Sequence, residues 1–125
     1  MGSVLILRYA GFSSPVSPAF NTENAGRTIP IKFSIGTGED GRAVGRRGSA
    51  ILLDGYPRAI EVSCTTGVPL TPGLGTSTTG TLAFDSVSVS FTYEWQTSRS
   101  FAGRCYEFRL GLIDGSERTA RFRFT

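Results

Sequence analysis

Two stretches of this chain place apolar side chains at every second residue, and no other feature constrains its fold as tightly. From Ile29 to Ile35 the apolar set is Ile29, Ile31, Phe33 and Ile35, with Pro30, Lys32 and Ser34 between them. From Val87 to Trp95, the residues Val87, Val89, Phe91, Tyr93 and Trp95 alternate with Ser88, Ser90, Thr92 and Glu94. A period of two sends successive side chains to opposite faces of a strand, so both stretches read as half-buried β-strands. Pro30 cannot donate to a ladder, which predicts an edge strand or a position near the strand's start. Shorter strands are expected at Val4 to Tyr9, Ala50 to Leu53, Ile60 to Cys64 and Thr81 to Phe84, each bounded by Gly, Pro, Asp or Ser. Seven or eight such strands predict an all-β, immunoglobulin-like antiparallel β-sandwich. The 125 residues fit one domain, 1–125, with residues 1–8 as a leading segment.

The C-terminal pair gives a sharper expectation. Tyr106, Phe108, Leu110 and Leu112 alternate on one strand and Ala120, Phe122 and Phe124 on the next, with Asp114-Gly115 between. A two-residue Asp-Gly turn would set Phe108 opposite Arg121 and mix the faces. A three-residue loop, Ile113-Asp114-Gly115 with Gly115 in the left-handed conformation, pairs Phe108 with Ala120 and Tyr106 with Phe122. That register sets Glu107 opposite Arg121 and turns Arg109, Arg121 and Arg123 away from the core, where a solvated face is expected in preference to an anion site. Cys105 falls on the arginine side. A bridge from it to Cys64 inside the sandwich would need a bulge or strand end near Gly103 to reset the parity.

Two stretches resist strand assignment. Gly36 to Gly48 has five glycines with interspersed charge and is expected to be a mobile loop. Thr65 to Thr81 has no charged residue and reads as an irregular linker lying across the domain or as an O-glycosylatable surface.

Charge and chemistry narrow the functional classes. The chain carries a net +3, and the whole surplus lies in residues 99–125, with six basic and three acidic side chains. That excess is too small and too mixed with acids for a nucleic-acid footprint. The Arg46-Arg47 pair has no interleaved aromatics for base stacking. There is no His to act as a base near neutral pH, and the carboxylates are scattered, with Glu39-Asp40 the one adjacent pair. No catalytic residue, metal ligand set or cofactor is therefore assigned, and an enzyme is not expected. Glu39-Asp40-Gly41 offers too few oxygens for a calcium loop. Two cysteines, Cys64 and Cys105, favour a disulfide over two buried free thiols and an oxidising compartment. A loop of that span would stabilise by roughly 4 kcal/mol in the chain-entropy model. Candidate ligand contacts are Tyr56, in the turn Asp54-Gly55-Tyr56-Pro57, and Arg46, Arg47, Arg109, Arg121 and Arg123. Tyr56 could stack on a sugar ring, although a turn tyrosine more often packs on its own loop; Trp95 is expected in the core.

No export signal opens the sequence: Val4 to Leu7 is a short apolar run interrupted by Arg8. No stretch approaches the ~20 apolar residues of a membrane span. Met1-Gly2-Ser3 reads as a remnant of cloning. The expected origin is a piece cut from a secreted parent, or a protein that leaves the cell by another route such as lysis.

The ordered succession Gly11-Phe12, Pro15-Val16, Ala25-Gly26 and Ile29-Pro30-Ile31-Lys32-Phe33-Ser34 resembles the opening of the bacterial PxKF domain. Gly55-Tyr56-Pro57, Cys64, Tyr93-Glu94-Trp95-Gln96-Thr97, Ala102-Gly103-Arg104-Cys105, Asp114-Gly115 and Ala120-Arg121-Phe122-Arg123-Phe124 continue the likeness in the same order. The resemblance covers about residues 9–125. It implies an all-β module at the C-termini of secreted proteins, chiefly of GC-rich actinobacteria, a fit to the twelve Arg and single Lys here. It further implies export, a Cys64–Cys105 bridge and an accessory role without catalytic residues. Phe101 stands where the family usually has Trp, and Glu39 to Gly48 looks longer and more charged than usual.

The preferred functional expectation is a non-catalytic accessory or binding module of a secreted or cell-surface bacterial protein, contacting cell-wall glycan or a neighbouring domain. Two alternatives stand beside it: a bacteriophage virion protein decorating capsid or tail, and a surface protein that self-assembles through an open sheet edge.

Overall fold

The computed structural model describes residues 9–12, 20–35, 38–73, 75–113 and 115–125. Among them nine strands form two sheets: β1 (Tyr9–Phe12), β2 (Asn21–Glu23), β3 (Thr28–Ile35), β4 (Arg58–Val62), β5 (Thr76–Ser77), β6 (Thr79–Asp85), β7 (Ser90–Gln96), β8 (Cys105–Gly111) and β9 (Glu117–Phe124). The four-stranded sheet has the order β1-β3-β7-β6, the five-stranded sheet β2-β9-β8-β4-β5. Lettered in chain order, the first is the A-B-E-D sheet of an immunoglobulin-like sandwich and the second its G-F-C-C′ sheet, with β2 added outside G. All pairings are antiparallel except β2 with β9.

The core is the shared interior of these layers. Ile29, Ile31, Phe33 and Ile35 of β3 are buried, as are Phe91, Tyr93 and Trp95 of β7, in a register that pairs Ile31 with Tyr93 and Phe33 with Phe91. From the other sheet come Phe108 and Leu110 of β8 and Ala120, Phe122 and Phe124 of β9. Trp95 sits centrally, its ring 5.1 Å from Phe108, 5.4 Å from Phe122 and 5.8 Å from Phe124, in tilted and edge-on arrangements that aromatic quadrupoles favour. Phe101 packs with its ring centroid 4.1 Å from that of Tyr106 and 5.3 Å from that of Phe124. The Tyr93 hydroxyl bonds Thr78 Oγ1 at 2.7 Å, and burial raises its phenol above the ordinary value, partly offset by that bond. Gly80 makes room for the Tyr93 ring, which a β-carbon at that position would strike.

The C-terminal hairpin has the expected register, Phe108 with Ala120, Tyr106 with Phe122 and Glu107 with Arg121. Leu112 N donates to Ser116 O and Gly115 has φ of 89°, so three residues, 113–115, make the loop; Asp114 itself lies outside the described residues.

Four expectations are corrected. The strand expected from Val87 begins at Ser90: Asp85 Oδ1 accepts from Val87 N, the turn reverses the chain, and Val87 is 89% exposed while Val89 has φ of 53°. The Asx turn interrupts an alternation that the side chains alone continue. The loop expected over Gly36 to Gly48 contains an α-helix, α1 (Gly38–Gly45). Glu39 and Asp40 in its first turn suit the positive end of the helix dipole, and Val44 and Gly45 are buried, Gly45 beneath the Phe84 ring. Ala50 to Leu53 is a single 3₁₀ turn (Gly48–Ile51) followed by one bridge from Leu52 to Leu112. The linker from Thr65 to Thr81 includes β5 and the start of β6, and part of it pairs with the edge of β4. Val4 to Tyr9 lies outside the described residues except for Tyr9, which opens β1. Pro30 is the third residue of β3 and is paired with Glu94 of β7; among the described residues β1 reaches β3 only at Phe33 and Ile35.

Candidate functional site

Strand alternation that points Phe108 and Leu110 into the core points Cys105, Glu107 and Arg109 the other way, onto the outer face of the five-stranded sheet. The β4-β8-β9 register lines up three rows on that face: Arg58, Arg109 and Thr119; Ile60, Glu107 and Arg121; Val62, Cys105 and Arg123. Four guanidinium groups stand in these rows against Glu107, and the next row, Gly111 with Glu117, adds a second carboxylate to the same face.

The disulfide belongs to this outer face. Cys64 and Cys105 are bonded, with S–S 2.07 Å and Cα–Cα 5.2 Å. Cys105 is the first residue of β8, on the same side as Glu107 and Arg109, so no bulge resets its parity. With Ile60 and Val62 it forms a second apolar cluster separate from the core, against which Phe20 and Cys64 pack. These three side chains on an outward face are dry because Phe20 and Cys64 pack on them, and the turn after β4 folds over the neighbouring Arg121. Ser63 Oγ accepts from Thr65 N and Thr66 N, and Gly67 N donates to Ser63 O at 2.8 Å, closing a turn. Gly67 is buried with φ of 75°, and a β-carbon on it would come within 2.7 Å of the Arg121 guanidinium. The chain then runs back beside β4, Leu70 N donating to Glu61 O and Pro69 bridging Val62.

Within this partly covered layer the charges are paired unevenly. Glu107 Oε2 accepts from Arg109 Nε at 2.9 Å and Oε1 lies 3.9 Å from Arg121 Nε. The side chains of Glu107 and Arg109 are each 13% exposed, whereas Arg121 is 44% exposed. Arg109 is thus enclosed, correcting the expectation that all three arginines are solvated. Arg121 also lies 5.9 Å from the Phe20 ring centroid, within cation–π range. Arg123 is exposed and reaches Cys64 O with Nη2 at 3.2 Å.

Tyr56 and Arg58 close one end of the face. The Tyr56 ring lies against Gly111, where a β-carbon would be 2.6 Å away, and the Arg58 guanidinium sits 5.4 Å from its centroid. Arg58 Nη1 donates to Gly75 O at 3.1 Å, while its enclosed Nε has no hydrogen-bond partner among the described residues. The structure therefore brings Arg109, Arg121 and Arg123 together, joins Tyr56 to them through Arg58, and leaves the other two candidates elsewhere. Arg46 pairs with Glu39 across α1 at 2.7 Å, a contact that holds the Glu39 carboxyl below its ordinary value, and Arg47 follows on the exposed end of that helix. α1 packs on β3 and β7 of the other sheet.

Arg58 was missed by sequence reasoning. It shares alternation parity with Ile60 and Val62, so the strand looks apolar on that side, and only the register with Arg109 shows it as part of a cationic row.

Fold and face together define an immunoglobulin-like sandwich with a disulfide-latched, arginine-bearing sheet face. No protein-family model matches the chain, and a search of curated proteins finds no similar sequence.

Proposed function

We propose that this domain is a non-catalytic accessory module of a secreted or cell-surface protein, and that the outer face of its five-stranded sheet contacts an acidic cell-wall glycan. The observation that carries the reading is the excess of guanidinium over carboxylate groups on that face, four against two, with Arg121 and Arg123 accessible on it. A surface of one sign attracts a polyanion, and guanidinium groups suit its carboxylate or phosphate oxygens. Two further points support the reading. The Cys64–Cys105 disulfide is compatible with an oxidising compartment, and the motif order resembles that of an exported family.

Retention on purified wall glycan carrying phosphodiester or carboxylate groups, measured against salt, tests the reading. The wild type should be held at low salt and released as ionic strength rises, and Arg121→Ala/Arg123→Ala should lose at least tenfold in retention. Tyr56→Ala should lose far less, because its ring is engaged by Gly111 and Arg58. Retention equal for wild type and the arginine variant, or equal on duplex DNA at the same salt, would sink the proposal.

A further inference from the structure

The four outer edges of the two sheets are guarded unequally. In the five-stranded sheet, β2 has three residues and β5 two, and the neighbouring stretch beside β4 carries Pro69, which lacks the N–H an added strand would need. In the four-stranded sheet, β1 has four residues and an irregular register. The remaining edge, β6, runs for seven residues, and Thr79 to Phe84 has no charge and no proline. No described strand pairs with its far side. The devices that natural edges use against pairing, Lys, Pro and bulges, are missing from this strand.

From this edge we infer that the chain forms a two-fold dimer in which β6 pairs antiparallel with β6 of a second copy, joining two four-stranded sheets into one of eight strands. Two-fold pairing about Leu82, the midpoint of the strand, maximises the ladder and sets Thr81 opposite the partner's Ala83. Both positions are exposed and small, so the outer faces meet without a clash. The charges agree with that register. Glu94 shares a row with Thr81, and Lys32 and Thr92 share a row with Ala83. The joined sheet therefore runs Glu94, Thr81, then the partner's Ala83, Thr92 and Lys32, with opposite signs at the two ends of each such row. Asp85 falls opposite the partner's Thr79, and no like charges are opposed. A second copy satisfies this pattern by symmetry, whereas an unrelated strand would have to supply it independently.

The inference goes beyond glycan contact and stands without it. Because β6 belongs to the other sheet, the dimer leaves both arginine faces uncovered, and two linked faces would hold a repeating polymer more tightly than one.

Sedimentation velocity from micromolar to millimolar protein tests the dimer. The wild type should shift from the 13.4 kDa monomer toward twice that mass as concentration rises. Thr81→Lys/Ala83→Lys places lysines opposite each other across the two-fold and should remain monomeric throughout, as should Thr81→Glu/Ala83→Glu. A one-to-one mixture of the two variants pairs Lys with Glu at both positions and should restore the dimer. That recovery separates edge pairing from misfolding of either variant. A wild type that stays monomeric at millimolar concentration, a dimer indifferent to both variants, or a mixture that fails to recover while each variant is folded would overturn the inference.

Discussion

The outer faces of the two sheets differ more than their shared interior would suggest. On the four-stranded sheet the outward side chains are mostly small and polar, with Lys32, Glu94 and Asp85 the charged groups among those on β3, β7 and β6, and no described strand pairs with the far side of β6. On the five-stranded sheet the outward positions of β4, β8 and β9 hold four arginines, two glutamates and an apolar cluster at a disulfide, and the turn after β4 covers part of it. One layer ends in a strand with a single charged residue, Asp85; the other carries an arginine excess on its face. Strand alternation assigns each side chain a face, but water reaches that face only where no other segment lies over it.

Three layers of burial should therefore show in mutational stability. The largest loss is expected in the shared interior: Trp95→Ala removes a ring in contact with Phe108, Phe122 and Phe124 and should cost about 3–5 kcal/mol in urea unfolding. A smaller loss belongs to the covered outer face. Glu107→Gln removes the carboxylate charge to which Arg109, 13% exposed, donates and should cost about 2 kcal/mol, less than a fully buried pair because some water remains. Lys32→Gln, on the open outer face, should change stability by less than about 0.5 kcal/mol. If Glu107→Gln were as neutral as Lys32→Gln, the two outer faces would be equally wet and the contrast would fail.

Much of this was readable from the residues, and the failures share a cause. The faces of β3 and β9 and the 113–115 hairpin loop followed from period-two parity, because a one-residue slip would bury arginine. Parity also placed Cys105 on the arginine side; it could not tell that Phe20 and Cys64 come back over that side and leave Cys105, Ile60 and Val62 dry. Val87 and Val89 extended a genuine alternation, yet the Asp85 side chain caps a turn there and ends it. α1 hid in Gly38–Gly45 because helix propensity argues against its three glycines, Gly38, Gly41 and Gly45, where tertiary packing wins, Gly45 being held under Phe84. Of the arginine face, Arg109, Arg121 and Arg123 were visible as one set, while Arg58 needed a cross-strand register that no local pattern carries.

The most direct test of the charged face is an NMR titration of the arginine side-chain Nε–H signals with an acidic wall oligosaccharide. Shifts concentrated at Arg121 and Arg123, growing with ligand and reversed by salt, with the amides of Thr81 and Ala83 unmoved, are the expected result. Shifts centred on Lys32 and the four-stranded sheet, or on Arg46 and Arg47, or none at saturating oligosaccharide, would contradict the account.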